Sequence, residues 1–425
     1  MVIDMDISSS LTLPCGAAIP NRIAKAAMTE GLADSLDRPT PELDILYQSW
    51  SRGGAGLLIS GNVMVDRRFL ERGGNVVLEN DSAMDRLQAW AKAGTVNGNH
   101  FWMQINHPGR QCSRFVNSRP LSPSDVQLKL AGNFAKPRAM SRAEIEDAIQ
   151  RFATTSALAK AAGFTGVQIH SAHGYLGSQF LSPVTNRRTD EWGGSLVNRA
   201  RFLLATVAAV RAAVGKDFPV GVKLNSADFQ KGGFTLDECI AVSGWLGEAG
   251  IDLLEISGGT YENVVFLEVE EKESRASTRQ REAFFLEYAA AISAAARIPL
   301  MITGGFRNLP TMNEALCAGK TDMIGIARPF CTMPDFPNLM LNGQLERTPV
   351  DEKNLVLGKG WLGSGSKVGL IKAINNQGQA GWYYHQMIRL ARHQQPDLDV
   401  GVFSAFCRQM LNDWRLVYRR RASSL

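Results

Sequence analysis

The chain has 425 residues, 45% hydrophobic and 20% charged, which suits a globular enzyme and excludes a disordered or fibrous chain. Its net charge is +5, with much of the excess in the closing WRLVYRRRASSL, read as a solvated tail rather than a nucleic-acid contact. Six scattered cysteines (Cys15, Cys112, Cys239, Cys317, Cys331 and Cys407) form no CxxC pair, so their spacing indicates neither a zinc knuckle nor an iron–sulfur cluster.

The opening MVIDMDISSSLTLPCG carries acids where a secretory leader needs bases. The run AAAISAAARIPLMI is broken by Arg297, and no longer apolar run spans a bilayer. A cytoplasmic protein without a membrane segment is expected, and isolated cysteines suit a reducing compartment.

Strand-like runs begin at Arg22 (RIAKAAM), Gly56 (GLLIS), Phe101 (FWMQI) and Gly166 (GVQIH). Four more begin at Pro219 (PVGVKL), Ile251 (IDLLEIS), Pro299 (PLMIT) and Asp322 (DMIGIA). Each is short, apolar and followed by a polar or Gly-rich loop, the pattern of a strand buried on both faces. Helical patterns lie between them. Ser141 with Glu144, and Thr235 with Glu238, have capping-box spacing; these helices should end at Gly163 and Gly250. A third should run from Ser195 to Gly215. Eight strands alternating with helices predict an α/β chain folded as a (β/α)8 TIM barrel over residues 1–343, with an open doubly wound sheet as the alternative.

After Gly343 the texture changes. LGKGWLGSGSK reads as a Gly-rich loop, and two helical patterns follow, so residues 344–425 are expected to form a C-terminal helical extension. Gly358, Gly360 and Gly363 spell a dinucleotide fingerprint, but too little chain follows for a Rossmann domain. Trp382, Tyr383, Tyr384, Trp414 and Tyr418 lie on the helical patterns, for packing in a core or against a subunit, or for covering an active site.

A barrel's chemistry stands at the C-terminal ends of its strands. There this chain has Ala27, Met28, Thr29 and Glu30, then Gly61, then Gln104, His107 and Arg110, then His170, His173 and Tyr175, then Lys223. Gly304 and Gly305 follow the seventh strand, and Ala327 and Arg328 the eighth. The last two loops suit a phosphate or, alternatively, a simple tight turn. Lys223 must pair with a structural carboxylate or face an anion. His170 and His173 are either metal ligands with Asp190 or Glu191, structural groups, or neutral donors to an oxygen that turns anionic. Tyr175 then suits a proton donor, since its phenol is protonated at neutral pH.

In order along the chain, LTLPCGAAIPNRIAKAAMTE, MQINHPGRQ, IHSAHGYLGSQFLSPVTNRRTDEWGGSLVNRARFLL, VGVKLNSADF, MITGGF and MIGIARPF resemble the Old Yellow Enzyme family of FMN-dependent oxidoreductases. The resemblance covers about residues 7–340. It implies a barrel with FMN over the strand ends and NADH or NADPH as reductant. Ala27, Met28, Thr29 and Gly61 would line the flavin ring, and Gln104 would hold its pyrimidine edge. Lys223 would sit near N1 and the C2 carbonyl. Gly305, Ala327 and Arg328 would hold the phosphate. His170 and His173 would bind the carbonyl of an activated alkene, and Tyr175 would donate the proton. No metal is implied, and the partner is a small molecule; a homo-oligomer is left open. Departures from the family's usual pattern are Ala27 where proline is frequent, Thr29 where some branches have cysteine, and Lys223 where many members have arginine. Rival readings are amine oxidation or demethylation on the same fold, a metal-dependent hydrolase, and a flavin-binding protein without catalysis.

Overall fold

A computed structural model describes residues 5–129, 133–257, 288–363 and 365–423. Each expected strand run forms a parallel strand: β1 (Ile23–Lys25), β2 (Leu57–Ile59), β3 (His100–Asn106), β4 (Gly166–Ser171), β5 (Val220–Asn225), β6 (Leu253–Ser257), β7 (Leu300–Thr303) and β8 (Met323–Ile326). They pair in sequence order. The β8–β1 pairing sets Ile324 opposite Ile23, and the β3–β4 pairing sets Gly166 opposite Trp102, which closes the barrel. The first strand is shorter than its apolar run. Ala26 still donates to the Ile326 carbonyl at 2.8 Å, and the chain then leaves the sheet at the barrel mouth.

Around the barrel lie α1 (Pro41–Arg52), α2 (Met84–Ala93), α3 (Arg142–Ala161), α4 (Leu176–Leu181), α5 (Leu196–Val214), α6 (Leu236–Glu248), α7 (Leu309–Cys317) and α8 (Phe336–Leu341). Ser141 and Thr235 each complete a capping box, with Glu144 and Glu238 returning the bond. Such a cap is worth about 1 kcal/mol and fixes where the helix begins.

Alternation along the strands sorts side chains into two cores. Those pointing outward, such as Phe101, Ile105, Ile169, Val222 and Ile324, pack beneath the helices. Ala24, Leu57, Ile59, Trp102, Leu253, Met301 and Met323 form a separate cluster, joined by Leu11, Leu13 and Ile19 of the N-terminal hairpin. Trp102 fits because two neighbours are glycines. A Cβ on Gly166 would lie 2.5 Å from its Nε1, and one on Gly221 2.8 Å from its Cζ3. This apolar floor leaves the next residues in the same alternation, Gln104, Gln168, Lys223 and Glu255, one step nearer the mouth.

The extension adds α9 (Gly369–Leu390) and α10 (Val402–Ser423). The connection runs back along α9, held by Gln386, whose side chain bonds the Asp397 carbonyl and N–H at 2.8 Å each. α10 therefore starts beside Gly378 and runs in the same sense as α9, with Gly381 against Ala405 and His385 against Arg408. Trp382 is fully buried, whereas Trp414 and Tyr418 stack on each other in the open. Gly358, Gly360 and Gly363 fall in a loop with one short turn (Gly360–Leu362), and no described strand precedes it to form a nucleotide-binding unit. Among the described residues no helix is long and apolar enough to cross a membrane.

The close crossing of α9 and α10 can be tested. A Cβ on Gly378 would lie 2.5 Å from Val402 Cγ1 and 2.7 Å from the Val402 oxygen. Gly378→Val should lower stability by about 1–3 kcal/mol in thermal or urea melts. Gly369→Ala, where an added Cβ meets nothing within 4 Å, should not destabilise the protein.

Candidate active site

The polar layer above the floor is one connected chain. Gln104 Nε2 donates to Gln168 Oε1 at 2.7 Å, and Gln168 Nε2 donates to Glu255 Oε2 at 2.7 Å. The other carboxylate oxygen, Oε1, lies 2.7 Å from Lys223 Nζ. All four side chains are buried. Lys223 pairs with a structural carboxylate, the first of its two readings, and also lines the cavity.

At the end of β4 the chain turns sharply. His173 has φ +57° and Gly174 φ +77°; a left-handed histidine is strained and persists only when its surroundings hold it. Here Asn225 Oδ1 accepts the His173 N–H at 2.9 Å, Gln111 Nε2 donates to the His173 carbonyl at 2.7 Å, and the His107 carbonyl accepts from Leu176 at 3.0 Å. The turn brings the His170 ring within 5.1 Å of His173 and 4.7 Å of Tyr175, centroid to centroid. The Ala172 N–H donates to His170 Nδ1 at 3.1 Å, which places the proton of a neutral ring on Nε2. His173 Nε2 pairs with Ser257 Oγ at 2.9 Å. Burial, then the neighbouring His173 and Lys223, holds His170 well below the usual imidazole range; burial and Lys223 do the same to His173. Both rings are neutral donors or acceptors, not cations, at physiological pH. Among the described residues no three metal-ligating side chains cluster.

A cavity of about 290 Å³ opens above this layer. Ala27, Met28, Thr29, Gln104, His170, His173, Tyr175, Lys223 and Arg328 line it. Seven residues named from the strand ends stand outside the lining, the buried Glu30, His107 and Arg110 among them. Gly61 is buried one layer back, its N–H donating to Glu30 Oε1 at 2.9 Å. Gly304 and Gly305, at φ +111° and +82°, end β7, and Ala327 precedes Arg328. Asn62 also lines the cavity, with its Oδ1 buried and without a protein partner. The remaining wall is α9, which contributes Gln379, Ala380, Tyr383, Tyr384 and Met387. The extension therefore covers the mouth with Tyr383 and Tyr384, while Trp382 packs inward. It also reaches Arg328. Glu352 Oε1 lies 2.8 Å from Arg307 and 3.1 Å from Arg328, and its Oε2 accepts from Tyr383 at 2.9 Å. Gln168 and Glu255 lie inside strand runs and Glu352 lies after the barrel, whereas Asn62 follows Gly61 at the end of the second run and could have been found there.

Residues 15–346 match the model of the NADH:flavin oxidoreductase / NADH oxidase family. The chain belongs to that family, the Old Yellow Enzyme family. It is 36% identical over 359 residues to the NADH-dependent flavin oxidoreductase iliE of Hypocrea jecorina, covering 80% of this chain and 89% of that one. It is 37% identical over 342 residues to the NADH-dependent flavin oxidoreductase nadA of Aspergillus parasiticus, covering 77% and 76% respectively. A solved 2-naphthoyl-CoA reductase superposes with a TM-score of 0.74 at 25% identity, covering 80% of this chain and 53% of that one; the chain thus spans about half of that reductase. The protein is an oxidoreductase that uses FMN and takes its reducing equivalents from NAD(P)H. The cavity's donor set fits such a cofactor. It offers amides at Gln104 and Asn62, a cation at Lys223, a guanidinium at Arg328, and apolar surface at Ala27 and Met28.

Two outcomes follow from these charges. Loss of Lys223 removes a cation facing the cavity, whereas loss of Glu255 removes the anion that offsets it. Lys223→Met should lower the FMN reduction potential and Glu255→Gln should raise it. A net change of 1.4 kcal/mol corresponds to about 30 mV for a two-electron couple, which spectroelectrochemistry resolves. The histidines give a pH dependence. His107, pushed down to about 4 by burial, joins His170 and His173 as rings that stay neutral when folded. Unfolded, each takes a proton near pH 6.5, so their contribution is full above that pH and is lost as pH falls below it. The stability slope should reach at most about 1.4 kcal/mol per pH unit for each ring. His170→Asn should flatten it in urea titrations between pH 7 and 5.

Proposed function

We propose that the enzyme reduces activated alkenes, such as enones, with Tyr175 as proton donor. The observation that carries this reading is the pairing of a neutral His170, its proton on Nε2, with the Tyr175 phenol across one turn, both lining the cavity. Bound FMN, reduced by NAD(P)H, supplies the hydride that the β-carbon accepts. His170 donates to the carbonyl oxygen, on which negative charge grows as the alkene is reduced. His173 completes that cradle, set in its left-handed turn by Asn225 and Gln111. Neutral imidazoles suit this task because they stabilise the developing charge without first protonating the carbonyl. Tyr175 then gives its proton to the α-carbon. Gln104, Lys223 and Asn62 would hold the flavin ring and Arg328 its phosphate, with Ala27, Met28 and Thr29 against the ring face. Gly305 and Ala327 belong to the same proposed cofactor site through their backbones, beside Gly304, whereas the Gly61 backbone is taken up by Glu30 and Ser60. The likeness to a reductase of a conjugated acyl thioester supports a substrate whose double bond is conjugated to a carbonyl.

The test is anaerobic. NADH or NADPH should bleach the flavin, and an enone should restore its colour in a second mixing step. Oxidation of an amine panel with no response to enones would overturn the reading in favour of the reverse chemistry. Tyr175→Phe should leave flavin reduction near normal and slow the enone step by about a hundredfold or more. A nitroalkene, which yields a stable nitronate without needing the proton, should still reoxidise the flavin. Equal impairment with both acceptors would remove Tyr175 from the proton-donor role.

A further inference from the structure

Tyr175 does not stand alone. Its hydroxyl donates to Glu71 Oε2 at 2.6 Å, and Asn62 Nδ2 donates to that same oxygen. Asn62 Nδ2 also lies 3.5 Å from Thr29 Oγ1, so the contact is tied to the cavity wall. Tyr175 is only 2% exposed. Glu71 is partly exposed and does not line the cavity. The carboxylate is thus more exposed than the phenol that donates to it.

We infer that Glu71 is a positioning residue that holds Tyr175 protonated and returns its proton after each turnover. The inference builds on the proposed reduction of an activated alkene with Tyr175 as donor. The proton balance is simple. The Tyr175 O–H bond breaks as the α-carbon forms its new C–H bond, and the electron pair of the enolate becomes that bond. This leaves a phenolate beside a carboxylate, two anions sharing one hydrogen-bond distance. Such a pair binds a proton more strongly than either group alone. Water or a buffer acid protonates Glu71 on its solvent side. The Glu71 O–H bond then breaks as the Tyr175 O–H bond re-forms, because phenolate is the stronger base. At rest the same carboxylate disfavours phenolate and so keeps Tyr175 loaded at alkaline pH.

Among the described residues, the charged and titratable groups around the pair include the following. His170 faces Tyr175 at 4.7 Å between ring centroids, and Lys223 lies beyond it. Arg72, next to Glu71 in sequence, is bound to Asp413 of α10 and stacks on Tyr384 of α9 at 4.2 Å. Against its burial, Asp413 and, more weakly, Glu71 hold the Arg72 guanidinium charged, while Tyr384 is held neutral by burial.

The experiment compares the FMN-loaded parent with Glu71→Gln, Glu71→Asp and Tyr175→Phe. Three readouts are taken. Ultraviolet titration of tyrosinate, with Tyr175→Phe subtracted, reports the acidity of Tyr175 without substrate. Stopped-flow reoxidation by an enone is followed across pH, and by a nitroalkene at one pH. In Glu71→Gln, Tyr175 should ionise at a pH lower by about one unit or more, since a like charge has been removed. The alkaline fall-off of the enone step should move down by the same amount, steady-state enone turnover should fall at least tenfold, and nitroalkene reoxidation should hold. Glu71→Asp should restore most of the turnover. An unchanged tyrosinate titration and an unchanged enone pH profile in Glu71→Gln would overturn the inference, even if turnover fell, because loss of packing alone moves neither. If the titration shifts but the parent reduces no alkene, the link between Glu71 and Tyr175 stands and the substrate reading fails.

Discussion

The buried pair of Lys223 and Glu255 conditions everything around it. Removing two ions from water is expensive, and their attraction in a low-dielectric interior compensates only when geometry is good and the remaining lone pairs are used. Here the lysine takes one carboxylate oxygen at 2.7 Å and Gln168 takes the other at 2.7 Å, with Gln104 continuing the chain. The apolar floor led by Trp102 seals the layer from below, so the lysine's remaining donors are directed to the cavity side. Its positive field also presses both histidines toward their neutral forms. One interaction thus sets the charge under the cavity and adds to the burial that keeps the rings at its edge neutral.

A second constraint comes from two adjacent residues in the loop after β2. Glu71 takes the Tyr175 hydroxyl, while Arg72 takes Asp413 and the face of Tyr384. The turn after β4 and the extension are therefore joined through a single short stretch of the barrel. Asp37 and Arg420 add another tie between barrel and α10 at 2.9 Å. α9 is placed over the mouth by ion pairs and by Gly378 and Gly381, which let α10 approach closely.

The barrel was legible because strands buried on both faces read as short apolar runs, and because capping boxes mark helix starts unambiguously. The site was legible to the extent that it sits at strand ends, as with Gln104, His170, Tyr175 and Lys223. Position alone could not separate the strand-end residues that face the cavity from Gly61, which faces Glu30 instead. Glu255 was hidden inside the run IDLLEIS, where only alternation against its neighbours shows that it points into the barrel. Asn62 and Glu71 lie in loops whose course depends on tertiary packing. The wall made by α9 was the least legible, since an aromatic run on a helix has the same pattern whether it packs inward, meets a partner or covers a cavity.

Glu352 shows how far that wall reaches into the chemistry of the site. Burial alone would raise its pKa, yet the Arg328 and Arg307 guanidinium groups hold its carboxyl below the usual range, so it is an anion in place. It shares Arg328 with the cavity and is fastened to α9 through the Tyr383 hydroxyl. Any anionic group that reaches Arg328 from the cavity side meets a guanidinium already half-neutralised and already oriented. Orientation favours a bidentate contact, while the shared charge weakens it. The balance between these two effects is set by the extension and not by the barrel. With the cofactor phosphate on Arg328, as proposed, its retention and the seating of α9 would be coupled through this one carboxylate.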